Sequence, residues 1–181
     1  MKDLLIVIDL QNDFITGPLG TPEARAIVPK VVEKIKEYRS AEQGVIYTLD
    51  THSKEIYLNT QEGFNLPVLH CIVGTEGWKL IDDIEYRPSI FNSFEKDSFA
   101  SIELAQIIQD INKEDHLPVE SIEIIGVCTD ICVISNALLI KAFNPGVKIT
   151  VDASCCAGTT PENHKNALAA MKMCQIEIVG E

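Results

Sequence analysis

The sequence lacks any apolar run long enough to cross a membrane, and it is poor in basic residues. A membrane-spanning helix needs about 18–20 consecutive apolar residues, so we expect no membrane-spanning segment. Only 15 Lys and Arg stand against 27 Asp and Glu, which gives a formal net charge of −12. Because phosphate binding depends on clustered positive charge, this composition argues against nucleic acid and against an anionic membrane as a partner.

The sequence also lacks a CxxC pair and any regular cysteine framework. A chain of 181 residues can build a core without disulfides, so its six cysteines are predicted to be reduced thiols. The apolar N-terminal segment, residues 4–10, contains Asp9 and is followed by no small-residue cleavage site, which argues against a signal peptide. We therefore expect a cytoplasmic protein with a single domain over residues 1–181.

The apolar pattern predicts an α/β fold. Five short runs are continuous rather than alternating, as in strands buried on both faces of a parallel sheet: residues 4–10, 45–49, 122–127, 147–151 and 176–179. A sixth, weaker strand is predicted at 89–92. Helical spacing fills the segments around residues 27–38, 104–111 and 167–174, and residues 132–143 are predicted to form a buried helix. This alternation predicts a three-layer αβα domain, doubly wound around a mainly parallel sheet of about six strands.

Reactive side chains follow several predicted strands, at the sheet edge where ligands of such folds bind. Cys132 follows the strand at 122–127 and is predicted to lie in the first turn of a helix that Thr129 or Asp130 caps. The free N–H groups and the dipole of that turn would lower the pKa of the thiol and bind an oxyanion. The alternative is a small, buried, chemically inert cysteine.

Asp9 closes an otherwise apolar strand. Its carboxylate can carry a proton from a thiol to a leaving amine, or it can simply hold a loop in place.

Asp50 and His52 follow the second strand, with Glu62 and His70 farther along. A carboxylate with two imidazoles suits a divalent ion such as zinc, iron or manganese. Ordinary polar loop residues are the alternative, because no standard metal motif matches.

Other polar residues carry little signal by themselves. Lys96, taken alone, is typical of a solvated surface lysine, and we expect His116 and His164 to be exposed.

Five motifs occur together and in order over residues 3–179: Asp9-Leu10-Gln11-Asn12-Asp13-Phe14, Asp50-x-His52, Leu66-Pro67-Val68-Leu69-His70-Cys71 with Gly74-Thr75-Glu76-Gly77 behind it, Lys96, and Gly126-Val127-Cys128-Thr129-Asp130-Ile131-Cys132-Val133. In this combination the chain resembles the isochorismatase-like cysteine hydrolases, and it is most similar to the nicotinamidases among them. The resemblance implies a catalytic triad of Asp9, Lys96 and Cys132. It also implies an oxyanion hole from the N–H groups of Cys128 and Cys132, with a cis peptide before Cys128.

The same resemblance implies one divalent ion, with zinc favoured over iron or manganese, bound by Asp50, His52 and His70 with Glu62 completing the set. Phe14 and Phe99 would flank a flat ring. The implied reaction is hydrolysis of nicotinamide, a small-molecule amide, to nicotinate and ammonia through a thioester, and a homo-oligomer is compatible with the family.

Four alternatives remain open at this point. The first two are an N-carbamoyl amide and isochorismate as the substrate of the same machinery. The others are a non-catalytic binding domain and a thiol redox protein that uses Cys128 with Cys132.

Overall fold

The computed structural model describes residues 3–85, 92–113 and 118–181. Six parallel strands form one sheet in the order β3-β2-β1-β4-β5-β6. The strands are β1 (Asp3–Ile8), β2 (Gly44–Asp50), β3 (Ser93–Lys96), β4 (Ser121–Val127), β5 (Lys148–Ala157) and β6 (Glu177–Val179). The predicted parallel α/β fold is confirmed.

Helices connect the strands and cover both faces of the sheet. The α-helices are α1 (Asn12–Ile15), α2 (Pro22–Ser40), α3 (Gln61–Asn65), α4 (Ile102–Lys113), α5 (Ile134–Phe143) and α6 (Pro161–Met173). Short 3₁₀ turns occupy Tyr57–Asn59 and Asp82–Ile84, and a π-helical turn at Thr129–Val133 leads into α5. No helix in the described ranges is long and apolar enough to cross a membrane.

The two faces of β1 show why the domain has three layers. Leu4, Ile6 and Ile8 point into a core shared with α4, α5 and α6, whereas Leu5 and Val7 point into a second core beneath α2. All five side chains are almost completely buried, which explains the continuous apolar run in the sequence.

Three strand boundaries differ from the prediction. β1 ends at Ile8, because Asp9 takes a left-handed backbone conformation with φ of 48°. β5 runs on to Ala157 through polar residues that break the apolar pattern. The third strand lies at Ser93–Lys96 rather than at 89–92, of which only Asn92 is among the described residues. As an edge strand it alternates between buried and more exposed residues, so it lacks the continuous pattern.

The strand order places a ligand crevice between β1 and β4. Connections run to opposite sides of the sheet from these two central strands, which creates a gap beyond their carboxyl ends. Asp9 directly follows β1, and Cys132 follows β4 by five residues. The fold therefore brings two residues together that are more than a hundred positions apart in the sequence.

Candidate active site and metal centre

Asp9 is completely buried at the end of β1, and the neighbouring strand β2 holds it in place. The hydroxyl of Thr48 donates a hydrogen bond to Asp9 Oδ1 at 2.6 Å and accepts one from the Asp9 N–H at 3.2 Å. Burial raises the pKa of Asp9 above its usual range, against the opposing effect of the Lys96 ammonium. The carboxyl group is therefore poised to accept and return a proton.

Lys96 brings the three acidic or nucleophilic groups of the site together. Its Nζ lies 2.7 Å from Asp9 Oδ2, 3.5 Å from Asp50 Oδ1 and 3.6 Å from Cys132 Sγ. The side chain is almost fully buried, and the neighbouring negative groups overcome the effect of burial and raise its pKa, so the ammonium stays charged. The structure thus joins Asp9, Lys96 and Cys132, as the family resemblance implied.

Cys132 lies in the π-helical turn before α5, and it is 6% exposed. The predicted lowering of its pKa was wrong for the resting protein. Burial raises the pKa of the thiol, and the Asp9 carboxylate adds to this effect while Lys96 opposes it. The sulfur therefore keeps its proton until a base removes it. The candidate base is Asp9, because Lys96 contacts both its carboxylate and the sulfur.

The turn that carries Cys132 is not capped as predicted. Cys128 occupies the N-cap position, and no side chain caps the turn. Thr129 Oγ1 instead pairs with His164 Nδ1 at 2.8 Å, and Asp130 accepts hydrogen bonds from the N–H and hydroxyl of Thr159. His164 is accordingly half-buried rather than exposed, whereas His116 lies outside the described residues. These contacts attach the nucleophile turn to α6.

The peptide bond between Val127 and Cys128 is cis, as the family resemblance implied. It stands at the end of β4, directly before the π-helical turn. The predicted oxyanion hole at the N–H groups of Cys128 and Cys132 therefore lies in the segment with this uncommon backbone geometry.

A group of buried donor atoms lies beside the Lys96 ammonium. Asp50 Oδ2 is 2.9 Å from His52 Nε2 and 3.4 Å from His70 Nε2, and the ligand atoms of the three residues all lie within 4.8 Å of one another. The neighbouring His52 and His70 imidazoles and the Lys96 ammonium outweigh the effect of burial and hold the pKa of Asp50 below its usual range. Asp50 therefore presents a carboxylate.

This donor set fits a divalent ion. Ligand atoms about 2.1 Å from a tetrahedral ion lie about 3.4 Å apart, which is close to the distances from Asp50 to the imidazoles. Nδ1 of His70 is 2.8 Å from the carbonyl oxygen of Val68, so it carries the proton and leaves a lone pair on Nε2. His52 Nε2 is buried and makes no well-aligned hydrogen bond with any described residue.

Glu62 approaches the same point from α3. Its Oε1 lies 3.7 Å from His52 Nε2 and 3.6 Å from His70 Nε2, and its side chain is 21% exposed. The structure therefore places all four predicted metal ligands together, with Glu62 on the outer side.

Sequence reasoning missed two residues that support the metal ligands. The Gln11 side chain accepts a hydrogen bond from the Asp50 N–H and donates one to the Asp50 carbonyl, both at 2.8 Å. The Tyr57 ring packs against both imidazoles, with centroid distances of 4.7 Å to His52 and 5.1 Å to His70. The sequence did carry a signal for Gln11, because this residue lies within a recognised motif directly beyond a buried strand. The sequence carried no signal that pointed to Tyr57.

A cavity of about 410 Å³ connects the thiol to the donor cluster. Asp50, Glu62 and His70 of the donor cluster line the cavity, and so do Cys128 and Cys132. Its remaining wall is mainly apolar and is formed by Phe14, Leu19, Leu66, Phe99 and Ile131 with Thr21, Asn65 and Thr159. The ring of Phe14 contacts that of His70 edge-on at 5.6 Å. Both predicted ring-flanking residues, Phe14 and Phe99, thus lie at the cavity.

Comparison with known proteins gives similar chains over the full length. The Isochorismatase domain family matches residues 3–180. A pyrazinamidase of Pyrococcus horikoshii in complex with zinc is 28% identical, covers 100% of both chains and has a TM-score of 0.82. A nicotinamidase/pyrazinamidase, PncA, from Bacillus subtilis is 26% identical over 99% of this chain and 100% of that chain, with a TM-score of 0.80. An N-carbamoylsarcosine amidase from Thermoplasma acidophilum is 26% identical over 99% and 96%, with a TM-score of 0.76.

Proposed function

The chain belongs to the isochorismatase family of hydrolases, and on this basis we propose that it is a metal-dependent cysteine amidohydrolase that converts nicotinamide to nicotinate and ammonia. One observation carries the proposal: a mainly apolar cavity is lined by a buried thiol, which contacts the Asp9–Lys96 pair through Lys96, and by two members of a three-residue metal donor set. A flat ring amide can reach both at once, with its carbonyl carbon at Cys132.

Cys132 provides the nucleophile of the proposed reaction. Its sulfur attacks the amide carbon, and the thiol proton passes to Asp9 Oδ2, an oxygen that receives no well-aligned hydrogen bond from the described residues. The oxyanion accepts hydrogen bonds from the N–H groups of Cys128 and Cys132. Asp9 then protonates the amine as the C–N bond breaks, which releases ammonia and leaves a thioester.

Water completes the proposed cycle. Asp9, now a carboxylate again, takes a proton from the water that attacks the thioester carbon. The C–S bond breaks, the acid product leaves, and the proton returns to Cys132. Throughout, the Lys96 ammonium balances the negative charge that moves between the Asp9 carboxylate and the sulfur, both of which it contacts.

Asp50, His52 and His70, with Glu62 beside them, would hold the ion. Zinc is our assignment ahead of iron or manganese, because a carboxylate with two imidazoles is a common zinc set and the similar Pyrococcus horikoshii structure is in complex with zinc. When bound, the ion supplies a Lewis-acid centre for the ring nitrogen of the substrate. Two other residues keep the donors in place: the Gln11 side chain hydrogen-bonds the backbone of Asp50, and the Tyr57 ring packs against both imidazoles.

Ammonia release tests the proposal directly. Purified protein supplied with zinc is assayed with nicotinamide, pyrazinamide and N-carbamoylsarcosine, before and after treatment with a chelator. We expect nicotinamide to be hydrolysed, the rate to fall at least tenfold on chelation and to return with zinc, and Cys132→Ala to be inactive. Failure to release ammonia from nicotinamide would sink the substrate assignment, and an active Cys132→Ala protein would sink the mechanism.

A second candidate is a hydrolase of N-carbamoyl amides with the same catalytic residues. Two observations favour it: the similarity to an N-carbamoylsarcosine amidase, and the aliphatic side chains of Leu19, Leu66 and Ile131 in the cavity wall. Fastest turnover of N-carbamoylsarcosine, at a rate unaffected by chelation, would select this reaction instead.

A further inference from the structure

Asn136 is a completely buried polar residue that lies one helical turn after Cys132, on α5. Its Nδ2 donates hydrogen bonds to the carbonyl of Cys132 at 2.8 Å and to the carbonyl of Phe99 at 3.1 Å. Its Oδ1 accepts a hydrogen bond from the Ser101 N–H at 3.0 Å. The side-chain amide therefore uses both donor hydrogens and its acceptor inside the protein, which fixes its orientation.

The partners of Asn136 belong to two segments that both carry reactive groups. Cys132 is the nucleophile, whereas Phe99 and Ser101 lie in the short connection between β3 and α4 that begins directly after Lys96. The far end of this connection is also fixed, because Ser101 Oγ accepts a hydrogen bond from the Leu104 N–H in the first turn of α4. The amide of Asn136 is thus a bridge between the turn that holds the sulfur and the segment that follows the lysine.

We propose that Asn136 is a positioning residue that keeps Cys132 in register with Lys96 and with the Phe99 wall of the cavity. The proposal rests on the function proposed above for Cys132, but the bridge itself is visible in the hydrogen bonds. Asn136 acts through the backbone of its partners and does not touch the reacting atoms.

The effect on catalysis follows from the geometry. Lys96 Nζ lies 3.6 Å from Cys132 Sγ. This contact joins the end of β3 to the turn after β4, and these two strands are not neighbours in the sheet. A displacement of a reacting group by about 1 Å can lower a rate by about a hundredfold. Without the bridge, the turn and the connection would move independently, so turnover should suffer more than substrate binding.

Asn144 provides a matched control at the other end of α5. It is 5% exposed, and its Nδ2 donates to the carbonyls of Ile140, four residues earlier, and Ala105, on α4. Its Oδ1 accepts a hydrogen bond from Asn112. Asn144 therefore makes the same kinds of contact as Asn136, about 12 Å farther along the helix from the site.

The experiment compares Asn136→Ala with Asn144→Ala in the full-length protein supplied with zinc. Both changes remove three hydrogen bonds, two of which are buried, so both should lower Tm. We expect Asn136→Ala to lower kcat at least tenfold with KM changed less than threefold, and Asn144→Ala to keep kcat within twofold of the unchanged protein. Equal kcat values for the two variants would overturn the proposal.

Asn136→Thr covers the case in which the alanine variant does not fold. A threonine hydroxyl in a helix can bond the carbonyl four residues earlier, so this variant can keep the contact with Cys132 while it loses those with Phe99 and Ser101. We expect its kcat to lie between the kcat of Asn136→Ala and that of the unchanged protein. If Asn136→Ala does not fold, we expect the kcat of Asn136→Thr to be at least threefold below that of the unchanged protein. A kcat equal to that of Asn144→Ala would contradict the bridge.

A second readout needs no known substrate. Iodoacetamide alkylates Cys132 only when its proton is removed, and mass spectrometry can compare this rate with that of Cys128, which lines the same cavity. We expect Asn136→Ala to lower the Cys132 to Cys128 ratio at least fivefold and Asn144→Ala to leave it unchanged. An unchanged ratio in Asn136→Ala overturns the positioning role, even if nicotinamide proves to be the wrong substrate.

Discussion

At the scale of single residues, the site depends on one ammonium group that neutralises two buried carboxylates. Lys96 is the only described cation in contact with Asp9, and it also contacts Asp50, which makes a line of carboxylate, ammonium and carboxylate. Removing one member of a buried ion pair usually costs about 3–5 kcal/mol, because the remaining charge is left unpaired in a medium of low polarity. Here two carboxylates would be left.

Lys96→Met should therefore affect both activity and stability. Without the ammonium, Asp9 and Asp50 repel each other, and the sulfur has no positive neighbour as its proton leaves. We expect kcat to fall at least a thousandfold and the free energy of unfolding to fall by about 3 kcal/mol. Steady-state assays and urea unfolding measure the two effects.

Lys79→Met is the matched control for this change. Lys79 pairs with Glu76 on the surface, where both side chains are more than half exposed. Exposed pairs contribute about 0–1 kcal/mol, so this variant should keep its activity and most of its stability. Similar losses in both variants would contradict the role assigned to Lys96.

At the scale of secondary structure, the end of β4 depends on close contact with β1. Gly126 pairs with Ile8 in the sheet and has a φ of 122°. A Cβ atom at this position would lie 2.1 Å from the Ile8 carbonyl oxygen, which belongs to rigid backbone. This glycine lets β4 reach the end of β1, so that Cys128 and Cys132 can lie beside Asp9.

Gly126→Ala should consequently disturb the site through the backbone. The methyl group meets a main-chain oxygen and the residue must keep an unfavourable φ, so we expect a loss of about 3 kcal/mol in stability and at least a tenfold loss in kcat. Gly146→Ala is the control, because a Cβ there would have no atom within 4 Å. If Gly126→Ala unfolded at the same urea concentration as Gly146→Ala, the packing argument would be wrong.

The sequence predicted those features that depend on local pattern. The buried strands could be recognised because they are apolar on both faces, and the strand ends pointed to Asp9, Asp50 and Cys132. The edge strand β3 was misplaced, because it alternates between buried and more exposed positions. Lys96 looked like a surface lysine, because the carboxylates that it contacts lie at the ends of two other strands and are distant in the sequence.

Features that depend on distant contacts could not be predicted. Thr129 and Asp130 have the residue types of helix caps, but they bind His164 and Thr159, about thirty residues later. The pKa of Cys132 was predicted in the wrong direction, because its position near a helix start is visible in the sequence whereas its burial beside Asp9 is not. The strand ends brought Asp9, Asp50 and Cys132 to one edge of the sheet, but only the family resemblance added Lys96 to the site.

At the scale of the whole molecule, a polar network joins α2 to the strands β4 and β5. Lys34 of α2 contacts Glu123 of β4 at 2.9 Å and Asp152 of β5 at 3.1 Å, and the Tyr38 hydroxyl donates a hydrogen bond to Glu123 at 2.8 Å. In a chain with a net charge of −12, this lysine holds two carboxylates beneath α2. Self-association of the chain stays a prediction.

This network should make the stability of the fold sensitive to high pH. Burial and Glu123 raise the pKa of Tyr38, and hydrogen bonds to Glu123 and Asp152 overcome burial and raise that of Lys34. Both groups bind their protons more tightly in the folded state, so their contribution is complete below about pH 10 and is lost as the pH rises further. We expect a protein with Lys34→Met and Tyr38→Phe to have a lower urea midpoint at about pH 8, but a smaller fall between about pH 8 and pH 11, than the unchanged protein. Lys36→Met, which removes an exposed lysine of the same helix, should leave the fall unchanged. An equally steep fall in the double variant would show that the network does not determine the alkaline limit of the fold.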